Sequence, residues 1–233
     1  MDSNQVAVAT ITWARSAAEE ARLRRSMKML ADTGVPIAVA DKGANSSFEA
    51  FLRRLEGVTL AVPATPGLVA QVQASFGVAA TFGRDFILYA ESDKEFFFAQ
   101  GMSSFLRHAP HAKRVGVVLA SRSAESFASF PPRQRYTEGV INHLCSERFG
   151  VKGDYSYGPL VISRALLPHV AMLGDAVGWG WRPSVCLAAH RAGLQIVHVV
   201  GDYPCPSEQR EEDEAERMHR IRQLSQNIAG LID

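Results

Sequence analysis

Cysteine is scarce: only Cys145, Cys186 and Cys205 occur in 233 residues. An odd number at such wide spacing makes neither a disulfide framework nor a zinc site, and a reducing cytoplasm is the expected compartment. Long apolar runs are also missing, since none approaches the about 18 residues that cross a bilayer. The opening "MDSNQVAVATITWAR" is acidic and polar, so no secretory signal is expected. Neither sign of charge is in excess. Lys and Arg number 25 against 24 Asp and Glu, a formal net charge of +1. That balance gives no basic footprint for nucleic acid and no acidic one for basic partners. Glycine-bearing nucleotide motifs are absent too. The first candidate strand runs into "WARSAAEE" without G-x-G-x-x-G, against a Rossmann dinucleotide enzyme. The chain also has no G-x-x-x-x-G-K-[ST] and no G-x-S-x-G, which sets aside P-loop and α/β-hydrolase chemistry.

What is present is a chain 47% hydrophobic, long enough to bury a proper core. Its first hundred residues alternate between two periodicities. "VAVATIT" (6–12), "VPIAVA" (35–40), "VTLAVP" (58–63) and "FILYA" (86–90) read as buried strands. Between them lie helical stripes. Ser16 and Glu19 form a capping box ahead of Leu23, Met27 and Leu30, and Ser46 and Glu49 form another ahead of Phe48, Phe51, Leu52 and Leu55. Val69, Val72, Phe76 and Ala80 share a face after "TPG". Such alternation predicts βαβ units and a mainly parallel sheet, with ligands beyond the carboxyl ends of its strands.

The second half is less regular. "RVGVVLAS" (114–121), "GPLVIS" (158–163) and "LQIVHVV" (194–200) read as further strands, with helices over "TEGVINHLCSERF" (137–149) and "VCLAAHRAG" (185–193). Arg133, Gln134, Arg135 and Tyr136, beside Pro131 and Pro132, read as a lid or as solvated loop. The tail from Ser207 reads as a helix with Met218, Ile221, Leu224 and Ile228 on one face. Asp213 with Arg217 and Glu216 with Arg220 are favourable pairs along it. Its Arg217, His219, Arg220 and Arg222 read as a solvated face or an oligomer contact, so a homo-oligomer is one expectation.

The fourth strand drives into three carboxylates, "FILYAESDKE". Glu91 and Asp93, two apart in an extended segment, face the same way and can converge on one point. Two hard oxygen ligands at a strand end suit Mg²⁺ or Mn²⁺, with water and phosphate completing the shell. The competing reading makes Ser92 and Glu95 one more capping box, with acidic residues in a first helical turn. Asp41, at the end of the second strand, is suited to accept hydrogen bonds from a base or ribose, and "DKG" is equally ordinary turn chemistry. "GDYSYGP" and "GWGWRP" carry aromatics that either stack on sugar faces or close the core.

The order of these features resembles the GT-A glycosyltransferases of the family-2-like kind. "VAVATITWAR", "VADKGANSS", "TPGLVAQVQASFGVAA" and "ILYAESDKE" follow the N-terminal half of that fold, and "GPLVISRALLPHV" and "GWGWRPSVCLAAHRAGLQIV" follow its acceptor half. The resemblance spans about residues 6 to 200 and rests on short motifs. It implies a single α/β GT-A-like domain over 1–206, a mixed, mainly parallel sheet with helices on both faces, and a C-terminal helix over 207–233. It implies metal-dependent transfer of a hexose from a nucleotide-diphosphate sugar to a small soluble acceptor. Glu91 and Asp93 take the place of the Asp-x-Asp metal motif, with His198 as a third ligand or else a core histidine. Trp13, Arg15 and Asp41 take the nucleotide side. Tyr155, Tyr157, Trp179, Trp181 and Arg182 take the acceptor side. The pattern departs in one respect: Trp181-Arg182-Pro183 stands where inverting members place Glu-Asp, leaving Asp175 and Asp154 as the nearest candidate bases, or a retaining reaction that needs none. A sugar-phosphate nucleotidyltransferase and a non-catalytic nucleotide-sugar-binding module are the rival expectations.

Overall fold

The computed structural model describes residues 1, 3–43, 45–210 and 213–232. Glu211 and Glu212, in the tail expected to be helical from Ser207, lie outside the described residues. Among these residues seven strands form one sheet: β1 (Val6–Thr12), β2 (Ile37–Asp41), β3 (Val58–Ala61), β4 (Phe86–Tyr89), β5 (Val115–Arg122), β6 (Leu160–Ser163) and β7 (Gln195–Gly201). Their order is β3-β2-β1-β4-β6-β5-β7. β6 runs antiparallel to β4 and β5, and every other pairing is parallel. The helices in chain order are α1 (Ala17–Ala31), α2 (Ser46–Arg54), α3 (Leu68–Thr81), α4 (Met102–His108), α5 (Ala124–Ala128), α6 (Pro132–Phe149), α7 (Leu167–Ala171), α8 (Trp181–Arg191) and α9 (Glu214–Ile232).

The alternation within "VAVA" divides the core. Val6 and Val8 face one side with Leu23, Met27 and Leu30 of α1 and Phe48 and Leu52 of α2. Ala7 and Ala9 face the other, where α3 lays Val69, Val72, Phe76 and Ala79. Side chains at successive strand positions point to opposite faces, so small residues on one face let a helix approach closely. β1 and β4 are neighbours although β2 and β3 lie on β1's far side. The chain therefore reverses direction across the sheet between β1 and β4, and a crevice opens there at the strands' carboxyl ends.

Several boundaries differ from expectation for identifiable reasons. Asn45, not Ser46, caps α2 by accepting the N–H of Phe48. Ser16 does cap α1, but the Glu19 carboxylate turns back to the N–H and guanidinium of Arg15. α6 begins at Pro132, five residues before the expected start, because proline at a first helical position lacks only an N–H that would be unpaired anyway. Arg133 to Tyr136 are thus in its first turns and not in a loop. α8 likewise starts at Trp181 rather than Val185, with Pro183 tolerated in the first turn. A π-helical segment (Phe97–Gly101) leads into α4.

Candidate functional site

The crevice opens as a cavity of about 380 Å³ whose walls come from both halves of the chain. The end of β1 supplies Thr12, Trp13 and Arg15, and the turn after β4 supplies Glu91, Ser92, Asp93 and Lys94. Arg122 and Glu138, Tyr157, Trp179 and Arg182, and the α9 residues Glu216, His219 and Arg220 complete it.

The turn after β4 has its own logic. Lys94 N–H donates to the Glu91 carbonyl and Glu95 N–H to that of Asp93, closing a tight turn. Ser92 is not a helix cap: its hydroxyl donates to the Ile11 carbonyl at 2.7 Å, tying the exit of β4 to β1. Glu91 and Asp93 are thereby carried into the crevice. One Glu91 oxygen lies 3.1 Å from Arg182 Nη1. The other, Oε2, and Asp93 Oδ1 are buried with no hydrogen-bond partner. A buried carboxylate oxygen without a donor is costly, and a cation removes that cost. The residues present therefore fit a hard divalent ion. No group of three or more His, Cys, Asp or Glu among the described residues could hold a metal alone, so the remaining positions suit phosphate and water. Gly158 passes against Glu91 with φ +125°, and a Cβ there would collide with Oε2. Glycine is required on both counts.

On the β1 side, Trp13 is half exposed, at 51%. Lys42 Nζ lies 3.6 Å from the centre of its ring and the Arg15 guanidinium 5.2 Å. Arg15 is engaged by Glu19 at 2.5 Å. Asp41 accepts the Thr12 hydroxyl at 2.6 Å and the Gly43 N–H at 2.8 Å. It organises the turn after β2, and its neighbour Lys42 is the residue that reaches the cavity. Gln71 of α3 donates to the carbonyls of Thr12 and Ala40, fixing the ends of β1 and β2 together.

The four aromatics expected on the acceptor side divide. Tyr157 and Trp179 line the cavity, with the Arg182 guanidinium 5.0 Å from the Trp179 ring. Trp181 is 0% exposed and packs edge-on against Tyr89 and Phe76. Tyr155 is buried and donates its hydroxyl to the Val151 carbonyl. Trp181 and Tyr155 belong to the core.

Neither candidate base reaches the cavity. Asp175 is exposed in a 3-10 turn (Asp175–Gly180) and does not line it. Asp154 is buried and receives Arg122 through Nε at 2.7 Å and Nη2 at 3.1 Å, Asn142 at 3.0 Å and the Ser156 hydroxyl at 2.8 Å. Burial alone would raise its pKa, but the Arg122 charge and these donors outweigh burial and hold it at about 2. A carboxylate so held is an anchor for Arg122 and a poor proton acceptor. His198 is also elsewhere. Its Nδ1 lies 2.7 Å from the Ser121 hydroxyl, its ring meets Tyr155 edge-on, and it packs against Gly153. The structure does not bring it to Glu91 and Asp93.

Arg122 and α9 are the functional-site residues that the sequence reading missed. Arg122 is fully buried at the end of an otherwise apolar strand, bridging Asp154 and Glu138. A charge ending "VGVVLASR" was the available signal, since buried charges need partners. For α9 the apolar stripe holds only in part. Leu224 packs against the core and lines the cavity and Ile228 is partly buried, but Met218 and Ile221 are exposed, and polar Arg220, Gln223 and Asn227 line the cavity. Glu216 pairs with Arg220 at 2.8 Å, but Arg217 is nearer Glu214, and Asp213 instead accepts the N–H of Glu216.

No protein-family model matches the sequence, and no curated protein matches it significantly. Solved structures do. Glucosyl-3-phosphoglycerate synthase from Mycobacterium tuberculosis is similar with a TM-score of 0.65 and 17% identity, over 97% of this chain and 80% of that one. Its complex with Mn²⁺ and UDP-glucose gives 0.64 and 18%, over 97% and 79%. A structure described as a mycobacterial protein gives 0.69 and 15%, over 97% and 74%. With its switch point, its antiparallel β6 and this likeness over nearly the whole chain, the protein has the GT-A-type fold of nucleotide-sugar glycosyltransferases.

Proposed function

We propose that this chain is a metal-dependent glycosyltransferase that moves a hexose from a nucleotide-diphosphate sugar to a small acceptor in the cytoplasm. The observation that carries the reading is the pair of unpartnered buried oxygens on Glu91 and Asp93, two residues that line a crevice at the switch point of the sheet. Glu91 and Asp93 would hold Mn²⁺ or Mg²⁺. Bound there, the ion would offset the charge that develops on the departing diphosphate. Trp13 and Lys42 offer a face and a charge to the nucleotide, and Trp179 offers a face to a sugar ring, whereas Tyr157 lines the cavity but is stacked on Tyr203. The similar enzyme named above has been crystallised with Mn²⁺, UDP-glucose and phosphoglyceric acid, which makes UDP-glucose a reasonable first donor to try.

Charge pairing in the cavity bears on stereochemistry. Among the described residues that line it, Glu19, Glu138 and Glu216 are paired with Arg15, Arg122 and Arg220, and Glu91 and Asp93 form the metal pair. Among the described residues that line the cavity, no carboxylate is left unpaired to take the acceptor's proton. The reading therefore favours retention. The bond from C1 to the diphosphate oxygen breaks, a bond from C1 to the acceptor oxygen forms on the same face, and the acceptor's proton passes to the departing diphosphate.

The test is release of nucleoside diphosphate from UDP-glucose and GDP-mannose with Mn²⁺ present. Release should occur with one donor and fall by roughly a hundredfold in Asp93→Asn. Nucleotide sugars that bind without any turnover would favour the non-catalytic module.

A further inference from the structure

Arg182 occupies an unusual place. Its Nη1 lies 3.1 Å from Glu91 Oε1, and the two side chains are only 10% and 16% exposed. Its guanidinium stands over Trp179. The backbone that carries it is fixed: α8 starts at Trp181, whose ring packs edge-on against both Tyr89 and Phe76. Gly180, just before it, touches the backbone of α9. The guanidinium is therefore a placed cation directly on one of the two carboxylates suited to a metal.

That placement creates a competition. A divalent ion arriving alone would have the unpartnered Glu91 Oε2 and Asp93 Oδ1 to bind, but it would share the Glu91 carboxylate with Arg182, which already occupies Oε1. Two positive charges would then divide one carboxylate in a partly desolvated crevice, where repulsion is weakly screened. A diphosphate arriving with the ion removes that penalty. Its oxygens would accept from the planar fork of Arg182, a geometry that suits phosphate. We infer that Arg182 is a positioning residue that couples the two ligands: it disfavours a metal ion alone on Glu91 and favours one that arrives with a nucleotide diphosphate, whose charge it shares. This rests on the metal and diphosphate site proposed above. Metal and nucleotide then bind as a pair, and by linkage each tightens the other by the same factor.

The experiment is titration with Mn²⁺ followed by the loss of its free-ion electron paramagnetic resonance signal, with and without saturating UDP, each against a protein-free titration that subtracts the Mn²⁺ bound by UDP in solution. It compares wild type, Arg182→Gln, Arg182→Met and Arg182→Lys, with circular dichroism to confirm folding. UDP should tighten Mn²⁺ binding by about tenfold or more in wild type. In the Gln and Met variants Mn²⁺ should bind more tightly without UDP than it does to wild type. The UDP factor should then shrink by about threefold or more relative to wild type, the remainder coming from diphosphate oxygens that would ligate the ion, whereas Lys, which keeps the charge, should retain most of it. Equal Mn²⁺ affinity and an equal UDP factor in wild type and the neutral variants would overturn the inference. So would a wild-type factor below threefold, which decides alone if both neutral variants fail to fold. Mn²⁺ that does not bind wild type even with UDP would instead remove the metal site itself and with it the proposed function.

Discussion

Two tryptophans, two positions apart, show how differently neighbouring residues act once their surroundings are fixed. Trp179 faces the cavity and Trp181 fills the core. Trp181→Ala should cost about 3–5 kcal/mol of stability in a denaturant titration. Trp179→Ala should leave the unfolding midpoint nearly unchanged and weaken sugar transfer. In sequence both sit in one glycine-rich stretch, and nothing distinguishes them until α8 is seen to start at 181. Arg122 belongs to the same scale. Arg122→Ala would leave buried Asp154 without its cation and Glu138 with only the longer ion pair to Arg220, and a loss of about 3–5 kcal/mol is expected. His198 sets a pH dependence. Burial lowers its pKa to about 4, although Asp154 nearby acts in the opposite sense. Its folded pKa lies below the ordinary histidine value, so the unfolded chain takes up the proton first as pH falls. The stability His198 contributes is complete above the ordinary value of about 6.5 and is lost between there and about 4. Asp154 acts lower, losing its contribution as pH falls from the ordinary aspartate range through about 2. Melting temperatures measured from pH 7 to pH 4 should fall less steeply in His198→Gln than in wild type.

At the scale of elements, the parallel half was readable because its strands and helices obey one periodicity each. "VAVA" alternates valine and alanine to two faces, and the α1 stripe of Leu23, Met27 and Leu30 lands on the valine side. The turn after β4 was readable as a site because three carboxylates follow a buried strand. Its geometry was not, since Ser92 caps nothing and instead bonds to β1. α9 was half legible: Leu224 of its apolar stripe packs against the core, but Met218 and Ile221 are exposed and the polar Arg220, Gln223 and Asn227 line the cavity. Its docking depends on two glycines, with Gly180 and Gly230 in backbone contact. Gly230→Leu would set a side chain against a carbonyl that cannot yield. It should loosen α9, cost about 1–3 kcal/mol, and weaken nucleotide binding together with stability, because α9 carries one wall of the cavity.

Across the whole molecule, the fold places the end of β1, the end of β4, Arg182 and α9 around one crevice, although β1 ends at Thr12 and α9 starts only at Glu214. The proposed function requires that crevice to bind a nucleotide diphosphate through a metal held by Glu91 and Asp93. Calorimetric titration of UDP and GDP into wild type and Asp93→Ala, each with and without Mn²⁺, measures this directly. One of the two nucleotides should bind wild type tightly only when Mn²⁺ is present, and this binding should disappear in Asp93→Ala. Binding that is indifferent to both Mn²⁺ and the Asp93 carboxylate, or no binding of either nucleotide, would contradict the proposed function.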